Sequence, residues 1–168
     1  HHAPGPVAEY LRERHAPPRI ALSYEPEIPG TGGALRRAAW FLDDAPFWML
    51  NTDIAFDLSP APLLETFRRR HPVAVLWGTA ERGPRTVRVR EGRVTSFRDD
   101  TPGSPGTVTF CGLQLLSPEI LSYLPADGFA SIVAAYERAM ADGRTVRVVA
   151  PGDTYWNDLG TPGRYRQA

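Results

Sequence analysis

The chain has 168 residues, 42% of them hydrophobic, with nineteen basic and nineteen acidic groups that cancel to a formal net charge of zero. That length fits one domain with a sizeable core, and the balanced charge excludes a field that draws the chain to nucleic acid or an anionic membrane. No apolar stretch approaches the ~20 residues of a membrane span, no signal peptide opens the chain, and a lone cysteine, Cys111, excludes an intrachain disulfide and disfavours a cysteine-based zinc site, so a cytoplasmic setting is expected.

Every basic residue is arginine. A GC-rich coding bias accounts for that, and any site needing a Lys ammonium must use Arg or receive the Lys from elsewhere. His1 and His2 read either as native residues or as the stub of an expression tag. Residues 6–14 are expected to form a short helix, with Val7, Tyr10 and Leu11 at helical spacing. After the Pro17-Pro18 break, residues 20–24 read as a short strand. A glycine-rich turn over Gly30, Thr31, Gly32 and Gly33 then leads into a helix over about 33–42, with Leu35, Ala38, Ala39 and Leu42 on one face. Residues 47–51 form a continuous apolar run ending in polar residues, the pattern of a central parallel strand covered on both faces. Residues 60–70 read as a helix capped by Ser59 with proline in first position, and 73–77 as a further buried strand.

The pattern changes at residue 85. Residues 85–90 alternate Arg or Thr with Val, Glu91-Gly92 makes a turn, and 93–97 answer as the second arm of a β-hairpin. A Pro/Gly-rich loop over 99–106 precedes a long strand at 108–116, a short helix at 118–124, a longer one at 129–141 and a last strand at 146–149. Strands alternating with helices, interrupted by a hairpin insertion, predict an α/β fold with a mainly parallel sheet in one domain.

A glycine-rich turn that opens a helix offers backbone N–H groups and the helix dipole to a ligand. It fails the P-loop template, which needs Gly-Lys-Ser/Thr, and the dinucleotide fingerprint, because Leu35 falls at the last position. A nucleotide role and a plain turn both stay open. Asp53 follows the 47–51 strand, and ligands of open α/β sheets bind outside the carboxyl ends of strands; the ordinary alternative is a turn cap. Asp158 lies in Trp156-Asn157-Asp158-Leu159-Gly160-Thr161-Pro162, where turn and helix-start chemistry is also present. Two such carboxylates suit one Mg²⁺, which takes one or two protein carboxylates and fills its other positions with water and phosphate oxygens. His15 and His71 read as exposed caps near helix ends rather than ligands, and Cys111 as a buried small apolar residue.

Four segments occur together and in order: Glu25-Pro-Glu-Ile-Pro-Gly-Thr-Gly-Gly-Ala-Leu, Leu50-Asn-Thr-Asp, Phe110-Cys-Gly-Leu and Trp156-Asn-Asp-Leu-Gly-Thr-Pro. The set resembles the sugar-1-phosphate nucleotidylyltransferases, mannose-1-phosphate guanylyltransferases and N-acetylmuramate-1-phosphate uridylyltransferases among them, over nearly the whole chain. The resemblance implies a Rossmann-like three-layer α/β/α sandwich. It also implies transfer of a nucleotidyl group from a nucleoside triphosphate (GTP, UTP or dTTP) to a sugar 1-phosphate, giving a nucleotide-sugar and pyrophosphate. By that likeness Asp53 and Asp158 are the two Mg²⁺-binding, catalytic aspartates. Gly30, Thr31, Gly32 and Gly33 lie against base and ribose, and Glu25 hydrogen-bonds the base edge. Phe110, Cys111 and Gly112 line the sugar pocket through their backbone.

Two family signatures are absent. Nothing matches the loop G-x-G-T/S-R-L-x-P with its following Lys-Pro, so the N-terminal part of the domain is expected to be missing. That implies weak or no transfer by the chain alone, and an unpaired sheet edge that invites homo-oligomers. The second signature, Phe-x-Glu-Lys-Pro, is replaced by Ser96-Phe97-Arg98-Asp99-Asp100; Arg98 is either a substitute phosphate cation or a solvated hairpin arginine. The competing functions are a non-catalytic nucleotide-sugar-binding domain and a metal-dependent glycosyltransferase, although Asp53 and Asp57 are too far apart in sequence for a D-x-D pair.

Overall fold

Strand β3 (Ala74–Thr79) is apolar along its length because both of its faces are covered. The structure, a computed structural model, describes residues 4–14, 18, 20–42, 44–152 and 154–168; the expectations for His1, His2 and His15 lie outside the described residues. Ala74 and Leu76 turn to one face, with Leu35 of α2 (Gly30–Arg37), Ile120, and Ile132, Ala135, Tyr136 and Ala139 of α4 (Ile132–Ala141). Val75 and Trp77 turn to the other, with Leu63 and Phe67 of α3 (Ala61–Arg70) and Cys111, Leu113 and Leu115 of β6 (Thr107–Leu116). Helices on both faces of one sheet make the three layers of a Rossmann-like α/β fold.

The sheet order is β1 (Phe47–Leu50), β6, β3, β7 (Val146–Val149), β5 (Arg93–Ser96), β4 (Val87–Arg90). β3 and β7 pair parallel, whereas β6 pairs antiparallel with both β1 and β3. β1, β3 and β7 therefore run in one direction, but the reversed β6 between β1 and β3 and the hairpin beside β7 leave β3–β7 as the parallel ladder among the described residues, so the sheet is mixed rather than mainly parallel in its pairing. The hairpin β4–β5 turns through Glu91 and Gly92, both at positive φ, and β4 folds back onto the start of β6. β2 (Ile54–Asp57) and β8 (Tyr155–Asp158) form a separate two-stranded antiparallel ribbon. Two further helices, α1 (Pro4–Glu13) and α5 (Pro162–Gln167), lie near the ends of the described chain. Among the described residues no helix is long and apolar enough to cross a membrane.

Several expectations need correction. Residues 20–24 pair with no strand among the described residues, with Ile20, Leu22 and Tyr24 exposed; without a neighbouring strand to take its backbone groups the segment is no strand. β1 is an edge strand among the described residues. Phe47 and Met49 pack inward while Trp48 and Leu50 are 42% and 49% exposed, so the second face is open rather than covered. The glycine-rich segment is the first turn of α2, not a loop ahead of it, and the helix gives way to a 3-10 turn at Ala38–Phe41. α4 begins at Ile132, where the Ser131 hydroxyl accepts from the Val133 N–H, instead of at Phe129. The β2–β8 ribbon was not anticipated at all.

Candidate active site

The ribbon brings the two aspartates together. Asp53 occupies the turn before β2, and the first residue of that strand, Ile54, pairs with Asp158 at the end of β8. The Leu159 N–H donates to the Asp53 carbonyl at 2.7 Å, closing the register. Two aromatic residues seat the ribbon on the α3 face of the sheet. Phe56 meets Trp77 edge to face at 5.4 Å, and the buried Trp156 indole donates to the Cys111 carbonyl at 2.9 Å.

Beyond Asp158 the chain turns at Gly160 and starts α5 with Thr161 as cap, its hydroxyl accepting from the Arg164 N–H at 3.3 Å. A Cβ on Gly160 would sit 3.0 Å from Asp158 Oδ1 and 3.3 Å from Asp53 Oδ2. Both carboxylates thus face the space that the missing side chain leaves. Asp158 Oδ1 accepts from the Gly160 N–H at 2.8 Å, and Oδ2 accepts from Arg164 Nη1 at 2.6 Å. Asp53, Leu159, Gly160, Thr161, Tyr165 and Arg166 line an open cleft of about 560 Å³. Among the described residues no group of three or more His, Cys, Asp and Glu converges on one point. The site is a carboxylate pair, a donor set suited to a hard cation that keeps water and phosphate ligands.

The segment Phe110, Cys111 and Gly112 lies beside this turn. The Asn51 N–H donates to the Gly112 carbonyl at 2.9 Å. Gly112 has φ of 85°, and a Cβ there would fall 3.0 Å from the Asn51 amide, so the approach of the two segments requires glycine. Phe110 packs into the core on the α4 face. Cys111 is buried, and burial pushes its thiol up to about 12, which leaves it an inert core group as its sequence context suggested.

Gly30, Thr31, Gly32 and Gly33 join a different set of partners. The Gly32 and Gly33 N–H groups both donate to the Ala130 carbonyl, at 2.8 and 3.2 Å, and the Ala130 N–H donates back to Pro29. Thr31 Oγ1 accepts from the Ile132 N–H at 3.0 Å and so serves the first turn of α4. The glycines are where α2 and the loop before α4 meet backbone to backbone. Glu25 is half-buried upstream of this joint. Arg98 is exposed after the hairpin, and exposed His71 ends α3 in a left-handed conformation, its N–H donating to Phe67. The residues that sequence reasoning passed over are Arg164, Trp156, Asn51 and Ala130. For Arg164 a signal existed: Thr161-Pro162 starts a helix whose first turn carries that arginine back toward Asp158.

Comparison with known proteins adds the lineage. The family model described as nucleotidyl transferase matches residues 1–168. The fold is similar to HddC from Yersinia pseudotuberculosis, at 18% identity and a TM-score of 0.77 over 99% of this chain and 73% of that one. A second structure of HddC, complexed with GMP-PN, gives 19% and 0.78 over the same shares. UDP-glucose pyrophosphorylase from Acinetobacter baumannii matches at 15% identity and a TM-score of 0.70, over 84% of this chain and 55% of that one. The inositol-1-phosphate CTP transferase from T. maritima matches at 17% and 0.65, over 81% and 58%. At these identities the structural likeness concerns the fold.

Proposed function

The chain belongs to the nucleotidyl transferase family, and from that premise we propose that it serves the transfer of a nucleotidyl group from a nucleoside triphosphate to a sugar 1-phosphate. A phosphate oxygen of the sugar forms a bond to the α-phosphorus, the α–β phosphoanhydride bond breaks, and pyrophosphate leaves with the electron pair. The observation that carries this reading is the convergence of Asp53 and Asp158 on the space above Gly160. A Mg²⁺ ion fits that space chemically, since the pair offers only oxygen donors and no side chain fills the gap. Asp53 and Asp158 would hold such an ion, which would supply charge neutralisation for the phosphoryl group in transfer.

The chain's own residues supply the frame for this chemistry. Asp53 and Asp158 are the ligands, held in register by the ribbon; Trp156 ties β8 to β6 and so fixes the distance between the carboxylates and the Phe110–Cys111–Gly112 segment. That segment is the proposed sugar side of the site, with Gly112 permitting close approach. Glu25, as a carboxylate, only accepts hydrogen bonds, which suits the N–H edge of guanine, uracil or thymine and disfavours the matching edge of adenine or cytosine. Gly30, Thr31, Gly32 and Gly33 form the proposed base and ribose side. Because Ala130 already occupies the amides of Gly32 and Gly33, contact there is with the surface of the first helical turn rather than with a ring of free N–H donors. A cytoplasmic setting and homo-oligomers through the open β1 edge complete the reading.

Calorimetry on the full chain tests it. At least one of GTP, UTP and dTTP, or its nucleotide-sugar, is expected to bind in a Mg²⁺-dependent manner, with the dependence lost in Asp53→Ala and Asp158→Ala. Binding unaffected by Mg²⁺ and by Asp53→Ala overturns the catalytic reading in favour of a non-catalytic sugar-nucleotide binder. Tight binding of ATP or CTP with no response to the other three overturns the role of Glu25.

A further inference from the structure

We propose that Arg164 is a built-in counter-ion of the carboxylate pair, holding Asp158 while no metal is bound and giving way to the divalent cation that the pair takes up. The proposal rests on the reading of Asp53 and Asp158 as metal ligands and concerns what regulates that site. The two carboxylates are not equivalent. Both oxygens of Asp158 already have a donor from the chain, Gly160 N–H at 2.8 Å and Arg164 Nη1 at 2.6 Å. The Asp53 side chain has no hydrogen-bond or ion-pair partner among the described residues. Two carboxylates around one small gap repel each other, and a guanidinium on one of them relieves that repulsion without a metal.

The placement is local and specific. Thr161 caps α5 and Pro162 fixes its first turn, so Arg164 is delivered back over Asp158 rather than left to sample solvent. The pair is partly exposed, at 56% for the arginine side chain and 39% for the aspartate, so it is weak enough to be displaced. A cation that takes Asp158 Oδ2 as ligand must compete with Arg164 for that oxygen. The free protein therefore binds metal less tightly than its two carboxylates alone would allow.

Mn²⁺ titration of the full chain, followed by electron paramagnetic resonance of the free ion, tests this. Arg164→Met keeps the stem and removes the charge, and is expected to bind Mn²⁺ about two- to fivefold tighter than wild type, the range for removing an exposed ion pair. Arg164→Lys, which keeps the charge, stays near wild type. In wild-type protein, Mg²⁺ is expected to shift the Arg164 Nε–Hε resonance as the guanidinium leaves the carboxylate, a readout that needs no variant. Equal or weaker Mn²⁺ binding by Arg164→Met, or an Arg164 resonance indifferent to Mg²⁺, overturns the counter-ion role. Adding Asp53→Asn separates the two levels: if Arg164→Met binds Mn²⁺ equally well with and without Asp53, the ion is not at the pair and the metal reading falls with the proposal.

Discussion

At the scale of single residues, the glycines of this chain are explained by what lies against them. Gly30 has φ of 76°, and a Cβ on it would stand 2.4 Å from the Ala130 carbonyl oxygen, a backbone atom that cannot swing away. Gly32 is less constrained: its nearest neighbour is Leu124 Cδ2 at 2.8 Å, the end of a flexible side chain. Gly30→Ala combines a left-handed backbone with a backbone clash and is expected to cost about 2–4 kcal/mol. Gly32→Ala is expected to cost about 1–2 kcal/mol. Urea denaturation of the two variants checks the order, and a Gly32→Ala protein less stable than Gly30→Ala would show that the Leu124 side chain, not the Ala130 carbonyl, is the tighter constraint at this joint. The glycine cluster differs from a phosphate cradle in that the Gly32 and Gly33 amides are spent on Ala130.

At the scale of elements, two polar contacts tie neighbours together. Tyr136 of α4 is fully buried and its hydroxyl donates to the side-chain oxygen of Gln114 on β6, also fully buried. Tyr136→Phe keeps the stacking on Phe97 at 5.6 Å but leaves the Gln114 oxygen without its donor. The expected loss is about 1–2 kcal/mol, and Tyr136→Phe with Gln114→Leu recovers most of it, because replacing both partners removes the unsatisfied group. A double-mutant cycle by thermal unfolding measures this. The second contact pins the Pro/Gly-rich loop to the hairpin: Arg88 of β4 donates to both oxygens of Asp99, with Nη2–Oδ1 at 2.8 Å, and also to Ser104. Hydrogen bonds from Arg88 hold the Asp99 carboxyl well below its ordinary value of 3.8. A depressed carboxylate contributes stability that is present above its unfolded pKa and is lost as pH falls below that value toward the folded one. The melting temperature is therefore expected to fall below about pH 4, and Arg88→Met to flatten that dependence; an equally steep fall in the variant would assign the acid sensitivity elsewhere.

At the scale of the molecule, the two halves of the chain are packed unequally. β3 and β6 are buried almost throughout, whereas Trp48 and Leu50 of the edge strand, together with Val7, Tyr10, Leu22 and Trp40, stand exposed, with Phe129 and Tyr165 the most exposed such groups in the second half. An open edge bearing large apolar side chains is a template for association. Sedimentation velocity is expected to show concentration-dependent self-association that Trp48→Glu reduces; a monomer at all concentrations would remove the homo-oligomer from the proposed function. The α/β class, α3, the hairpin and the strands β3, β6 and β7 were legible in the sequence because apolar periodicity and turn residues are local signals. Asp53 and Asp158 were legible as candidates from their neighbours alone. Their meeting was implied by the family likeness and not by any local pattern, since β2 and β8 are four residues each and are separated in sequence by β3 to β7. The helical state of Gly32 and Gly33 was hidden for the same reason: their partner, Ala130, is remote in sequence, and its carbonyl takes both N–H groups despite glycine's poor helix propensity. By itself the sequence determined which residues are candidates for the chemistry and most of the segments that are strands or helices, because side-chain type and period are written into the chain. Only the tertiary structure decided how the two carboxylates face one gap, that Arg164 pairs with one of them, and that the Gly32 and Gly33 amides are already taken. Those are properties of distance between remote segments, and distance is set by packing.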